Sequence, residues 1–277
     1  MRIMGKRKYN WDWNTYHRRI AEGRGQGTLQ DYLPWLTIHD LASVGVVSRV
    51  MGRTTGRIHH LLSGLETAFF YILDASELAL DIREQYPLLY LEDTLRIAEE
   101  MRIRHPRDTV SRYPIVFTSD FVVTTANGLK VLSVKPTSEL EKLRVREKLA
   151  VEHKYWEEKG IEWRLVTEKT IDFQKARNLE WINRSWDFCE RVPEGRDPDE
   201  ILNAFQYSFE HGCDSVARIA ETIEKHFMLE PGFGITTYQH LLLRKRIHMD
   251  MSSPPDLVTP RVGNGKGGIV SWIRTYA

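Results

Sequence analysis

Three residues in this chain have types that act together on phosphate esters. Glu66 stands in SGLE, Asp120 lies in the strand-like run VFTSDFVVTT, and Lys135 ends a second run, LKVLSVK, just before Pro136. A lysine closing an apolar run costs free energy unless something uses its charge. Asn127-Gly128, between the two runs, is a strong hairpin signal that returns the second run beside the first. Cross-strand pairing then carries Lys135 toward the Thr118 to Asp120 end. Two carboxylates and a lysine at one place suit a hard divalent cation, which takes one or two carboxylates plus waters and substrate phosphates. The matching chemistry is phosphodiester hydrolysis, with the lysine stabilising developing charge or orienting the attacking water. The residues alone leave a plainer reading open: Glu66 as a cap or surface ion pair, Asp120 satisfying turn amides, Lys135 reaching solvent.

The elements that must position these residues follow from periodicity. VGVVSRVM reads as a short strand. Ile58, Leu61, Leu62, Leu65, Phe69, Ile72 and Leu73 recur at helical spacing, which predicts a helix from Ile58 with Glu66 beside its apolar stripe. ALDIREQYPLL reads as a strand ended by Pro87, and DTLRIAEEMRIRHP as a short helix closed by His105-Pro106. After the hairpin, Ser138 and Glu141 have the spacing of a capping box, which predicts a helix start there, and Gly160 is a stop signal. GIEWRLVTEK reads as one more strand. The sum is an α/β unit, a mixed sheet flanked by helices.

From Thr170 onward the strand patterns vanish. NLEWINRSWDF, PDEILNAFQYSFEHG and SVARIAETIEKHF read as helices, and ITTYQHLLLRKRIHMDM as a helix leading into a short strand. ARIAETIEKHF and ITTYQHLLLRKRI suit a helix-turn-helix ending in the basic cluster Arg244, Lys245 and Arg246, with HMDMSSPPDL as a wing. A helical protein-docking module with a solvated basic end fits the same residues. The domain expectation is a basic N-terminal arm over residues 1–30, a catalytic domain over 31–169, and a mostly helical C-terminal domain and tail over 170–277.

Net charge across the 277 residues is +1, so only local distribution can announce a nucleic-acid partner. The first stretch holds Arg2, Lys6, Arg7, Lys8, Arg18, Arg19 and Arg24 with Trp11, Trp13 and Tyr16 interleaved, which suits either a phosphate-binding arm or a frayed basic terminus. Arg53 and Arg57 are further candidates for phosphate contact. Cys189 and Cys213 make neither a disulfide framework nor a zinc site, and no apolar run is long enough to span a bilayer. The expectation is a soluble, intracellular protein without a membrane partner.

The blocks RRIAEGRGQG, DYLPWLT, GRIHHLLSGLE, LDIREQYPLL, RHP, TSDFVV, VKP, EKL and KYWEEKGIEW, in order between Arg18 and Trp181, closely resemble the TnsA family, endonuclease subunits of the heteromeric transposases of Tn-seven-like transposons. The C-terminal part is similar only in its helix pattern. The resemblance implies a restriction-endonuclease-like domain followed by a winged-helix domain. It implies cleavage of double-stranded DNA at the 5′ ends of a transposon, alongside a TnsB-like transposase that cuts and joins the 3′ ends, under a TnsC-like ATPase regulator. A bacterial cytoplasmic protein, nucleoid-associated when active, is the implied setting. The family's catalytic residues fall on Glu66, Asp120 and Lys135. Glu66 and Asp120 are the implied principal ligands of Mg²⁺, as a pair of ions, with Mn²⁺ as a substitute. Where the family has a glutamine two residues before the lysine, this chain has Ser133, which leaves Ser133 and the Val134 carbonyl as further ligand candidates. That departure also supports an alternative, a DNA-binding assembly factor whose nuclease site has decayed.

Overall fold

The structure, a computed structural model, describes residues 11–40 and 46–260. It divides into two compact units between Ile171 and Asp172. The basic residues ahead of Trp11 and the glycine-rich VGNGKGG segment lie outside the described residues.

The first unit opens with α1 (Trp13–Ala21), whose Asp12 N-cap accepts the Thr15 N–H at 2.7 Å. Trp11, Tyr16, Trp35 and Tyr113 pack edge to edge beneath it, and the Trp11 indole donates to the Pro114 carbonyl at 2.7 Å. Residues from Trp11 onward are therefore built into the unit rather than forming part of an arm.

Strands β1 (Ser48–Met51) and β2 (Ile58–Leu61) form an antiparallel pair, and α2 (Gly64–Asp74) begins only after Ser63. The helix expected from Ile58 thus starts six residues later. Ser63 explains the difference: its extended backbone and its hydroxyl, which accepts the Glu66 N–H at 3.1 Å, make it the N-cap. The apolar residues before it pair with β1 instead.

The main sheet runs β3 (Asp81–Pro87), β4 (Thr118–Thr125), β5 (Gly128–Val134) and β6 (Glu162–Val166) in that spatial order. Its first three strands are antiparallel, and β6 joins β5 in parallel. Gly128, at φ +106°, makes the tight turn of the hairpin. The parallel connection needs a crossover. It is supplied by a single turn, α4 (Thr137–Leu140), and then α5 (Leu143–Glu158). The Ser138–Glu141 capping box does not form. Thr137 lies at the start of α4, with its N–H and hydroxyl both bonded to the Glu168 carboxylate.

Helix α2 covers one face of the sheet, packing Phe70 on Ile82, Phe121, Val123 and Val134. Helices α3 (Leu91–Glu100) and α5 cover the other, with Ile97, Val151, Tyr155 and Trp156 on Leu88, Val122 and Val131. A sheet buried on both faces accounts for the nearly unbroken apolar run from Phe121 to Val123.

The second unit contains α6 (Phe173–Asn183), α7 (Phe188–Arg191), α8 (Pro198–His211), α9 (Val216–Phe227) and α10 (Phe233–Leu243). No strand follows α10 among the described residues, so HMDMSSPPDL forms no wing strands there. Helix α10 is buried from Phe233 to Leu242 except at Ile235. It is the hub on which the other helices of the unit pack, and it has no free face to lay in a DNA groove. Glu224 ties α9 to its start by accepting the Gly232 and Gly234 N–H groups at 2.9 and 2.8 Å.

Candidate active site

Glu66 sits in the first turn of α2 and is 5 % exposed. Its carboxylate accepts the Leu62 N–H at 3.0 Å, the Ser63 hydroxyl at 2.9 Å and the Gln85 amide at 3.3 Å. Glu66 does cap its helix, as the plainer reading had it, and the capping bonds fix where the carboxylate points. Burial, with the like charge of Asp120 added, pushes its carboxyl up to about 7.

Asp120 and Gln85 are left out of an otherwise continuous ladder, which pairs Glu84 with Phe121 and Tyr86 with Ser119. Gln85 has φ +49°, a left-handed conformation that costs a residue with a Cβ roughly 1–2 kcal/mol. The consequence is a change of facing along β4. Phe121 packs toward α2, while Ser119, two residues earlier, bonds to α5. Asp120 lies at that switch. Its Oδ2 accepts the Val134 N–H at 2.6 Å, in place of a ladder bond, and the Lys135 ammonium at 2.7 Å. Lys135 also donates to the Val134 carbonyl at 3.0 Å. Burial works against the ammonium, but the Asp120 carboxylate, with Glu66 and Glu152 adding, holds Lys135 above its ordinary value. The lysine side chain keeps about a third of its surface exposed, so it can still meet a ligand.

Ser133 makes no hydrogen bond to Glu66, Asp120 or Lys135 among the described residues. Its hydroxyl donates to Glu152 of α5 at 2.5 Å and accepts the Trp163 indole N–H at 3.2 Å. Val134, through its carbonyl, is the expected additional donor that lies beside the lysine. Glu152 was not legible as a site residue. It accepts from Ser119 at 2.6 Å as well, and burial, with Asp120 adding, pushes its carboxyl up to about 7. The available signal was its position in the apolar stripe of Leu149, Val151, Tyr155 and Trp156.

Among the described residues no three His, Cys, Asp or Glu side chains gather into an all-protein metal cage. The donor set is nonetheless that of a hard cation sharing its shell with substrate: two carboxylates whose mutual repulsion a divalent charge relieves, and a backbone carbonyl.

The arginines expected at a DNA surface are placed unevenly. Arg19 is buried against the Trp35 carbonyl and Asp40, stacked on Trp11 and Trp35. Arg57 is buried in a bidentate pair with Glu84 at 2.8 and 2.6 Å, and Glu84 also binds His59 at 2.7 Å. These two charges hold the unit together and do not face solvent. Arg24 pairs with Asp40 and Glu22, Arg53 with Asp74, and Arg246 bonds to Gln206 and Asn203. Arg18, Arg244 and Lys245 are exposed.

Residues 77–168 match a family model described as TnsA-like endonuclease N terminal, and residues 170–251 one described as TnsA endonuclease C terminal. Asp120 and Lys135 fall inside the first stretch, and Glu66 precedes it. The Escherichia coli protein named Transposon Tn7 transposition protein TnsA is 43 % identical over 168 residues, a stretch covering 60 % of this chain and 60 % of that relative. No helix among the described residues is long and apolar enough to cross a membrane. With two successive stretches matched in order, and Asp120 and Lys135 in the first, the chain belongs to the TnsA endonuclease family.

Proposed function

We propose that this chain is a metal-dependent DNA endonuclease subunit of a cut-and-paste transposase, hydrolysing the phosphodiester at the 5′ ends of its transposon. The single observation that carries the reading is Asp120, which takes the Lys135 ammonium and the Val134 N–H on one oxygen beside the buried Glu66. Glu66 and Asp120 hold Mg²⁺, or Mn²⁺ in its place, with the Val134 carbonyl as a further donor. A divalent cation there supplies Lewis-acid stabilisation of the phosphate and acidifies water. Lys135 keeps its proton at neutral pH and directs it at a non-bridging phosphate oxygen, where charge grows in the transition state. The bonds from Leu62, Ser63 and Gln85 keep Glu66 from swinging away while its charge is needed. Double-stranded transposon-end DNA, a TnsB-like transposase for the 3′ strands and a TnsC-like ATPase regulator are the partners in this reading, in the bacterial cytoplasm.

The test is cleavage of transposon-end DNA in the presence of those partners. Cutting is expected in Mg²⁺ or Mn²⁺, and none in EDTA or with Lys135→Met. Undiminished cutting by Lys135→Met would remove the lysine from the mechanism.

A further inference from the structure

Beside Lys135 a cavity of about 340 Å³ opens between the segment that leads into β4 and the inner face of α5. Lys148 and Glu152 stand one turn apart on that face, so both overhang the same space. The two carboxylates lining the cavity are engaged: Glu152 accepts from Ser119 and Ser133, and Glu139 pairs with Lys142 at 2.6 Å. Lys148 has no ion pair or hydrogen bond among the described residues. Besides burial, the charges acting on it are cationic, Arg144 and Lys135, and together they hold its ammonium below its ordinary value. Phe117, Val145 and Leu149 give the cavity an apolar wall.

A cation without a counter-ion among the described residues, lining the same cavity as the lysine that meets a scissile phosphate in this reading, is complementary to a second anion beside the first. Polynucleotide backbone supplies such an anion, with a sugar between to rest on apolar side chains. We propose that Lys148 binds the phosphodiester next to the scissile one on the cleaved strand. This rests on the nuclease reading and adds a subsite to it. Lys148 contacts substrate but takes no part in bond breaking.

The experiment uses the full chain with its partner subunits and transposon-end duplexes in which one phosphate flanking the cut, on one side or the other, is replaced by an uncharged methylphosphonate. Lys148→Gln should lower kcat/KM for cutting natural DNA about tenfold, the scale of one charge-assisted phosphate contact, and Lys148→Arg should restore most of it. The native chain should lose a similar factor on one of the two modified duplexes, and Lys148→Gln should lose little more on that duplex. Equal losses for native and Lys148→Gln chains on both duplexes would overturn the proposal, as would native-like cutting of natural DNA by Lys148→Gln. Asp120→Asn, run alongside, separates the two ideas. If it still cuts, or if the native chain does not, the nuclease reading fails. If it is dead while Lys148→Gln behaves as native, only the Lys148 subsite falls.

Discussion

Replacing Glu152 with glutamine should stabilise the metal-free protein at alkaline pH. The Glu152 carboxyl is raised from 4.5 to about 7, first by burial and then by Asp120, so the folded chain binds this proton more tightly than the unfolded chain. The sign follows from linkage. The stabilisation is fully present below about pH 4.5 and is lost as pH rises through about 7. At ~1.4 kcal/mol per pH unit, ionising Glu152 in place costs up to ~3 kcal/mol by pH 8. A glutamine keeps an oxygen for the Ser119 and Ser133 hydroxyls and carries no charge, while its amide must be accommodated at the cavity. We therefore expect a net gain of ~1–2 kcal/mol at pH 8, about 3–6 °C in Tm for a unit of this size, and near equality at pH 5. Thermal unfolding in EDTA across that range is the assay. Glu66 carries the same sign and stays in the variant, so some loss of stability with pH should persist. A native chain as stable as Glu152→Gln at pH 8, or a difference that does not change with pH, would refute the reasoning.

Arg57→Met should destabilise the first unit by ~3–5 kcal/mol, because it strands the fully buried Glu84 with only His59 and a backbone N–H; a loss below ~1 kcal/mol, read from the urea midpoint and slope, would contradict the assignment. Gly234→Ala should destabilise the second unit by ~1–3 kcal/mol despite the ~1 kcal/mol that alanine gains in a helix. An added Cβ would stand 2.5 Å from the Ala220 carbonyl oxygen, so α9 and α10 must separate, and calorimetry of the full chain reads the outcome. An unchanged or raised transition would show that the two helices can part without penalty.

The hairpin was legible because its turn is local: Asn127-Gly128 fixes the register that brings Lys135 to Asp120. Gly160, at φ +67°, likewise marked the end of α5. What escaped depended on distant partners. Ile58 and Leu61, three apart, suit one helix face, yet pairing with β1 makes them strand, where they lie on opposite faces with Ile58 exposed and Leu61 buried. Arg57 looks like a surface cation until Glu84 arrives from β3. Ser133, expected as a further donor to the cation, shares the α5 side of β5 with Val131 two residues earlier and bonds to Glu152, and no pattern in the sequence announces the left-handed Gln85 that shapes the Asp120 end of β4. For α10, the apolar run TYQHLLL reads as one amphipathic helix among several, and only the packed unit reveals that polar Thr237, Gln239 and His240 are interior too.

The most direct measurement is strand-resolved cleavage of a labelled transposon end in Mg²⁺, with TnsB-like and TnsC-like partners of the same element, comparing the native chain with Asp120→Asn. The account predicts that the 5′ strand is cut by the native chain and left intact by the variant, while 3′-strand cutting and joining continue in both. If both chains leave the 5′ strand uncut and support 3′ joining equally, the protein is an assembly factor and the Glu66, Asp120 and Lys135 cluster is not a nuclease site.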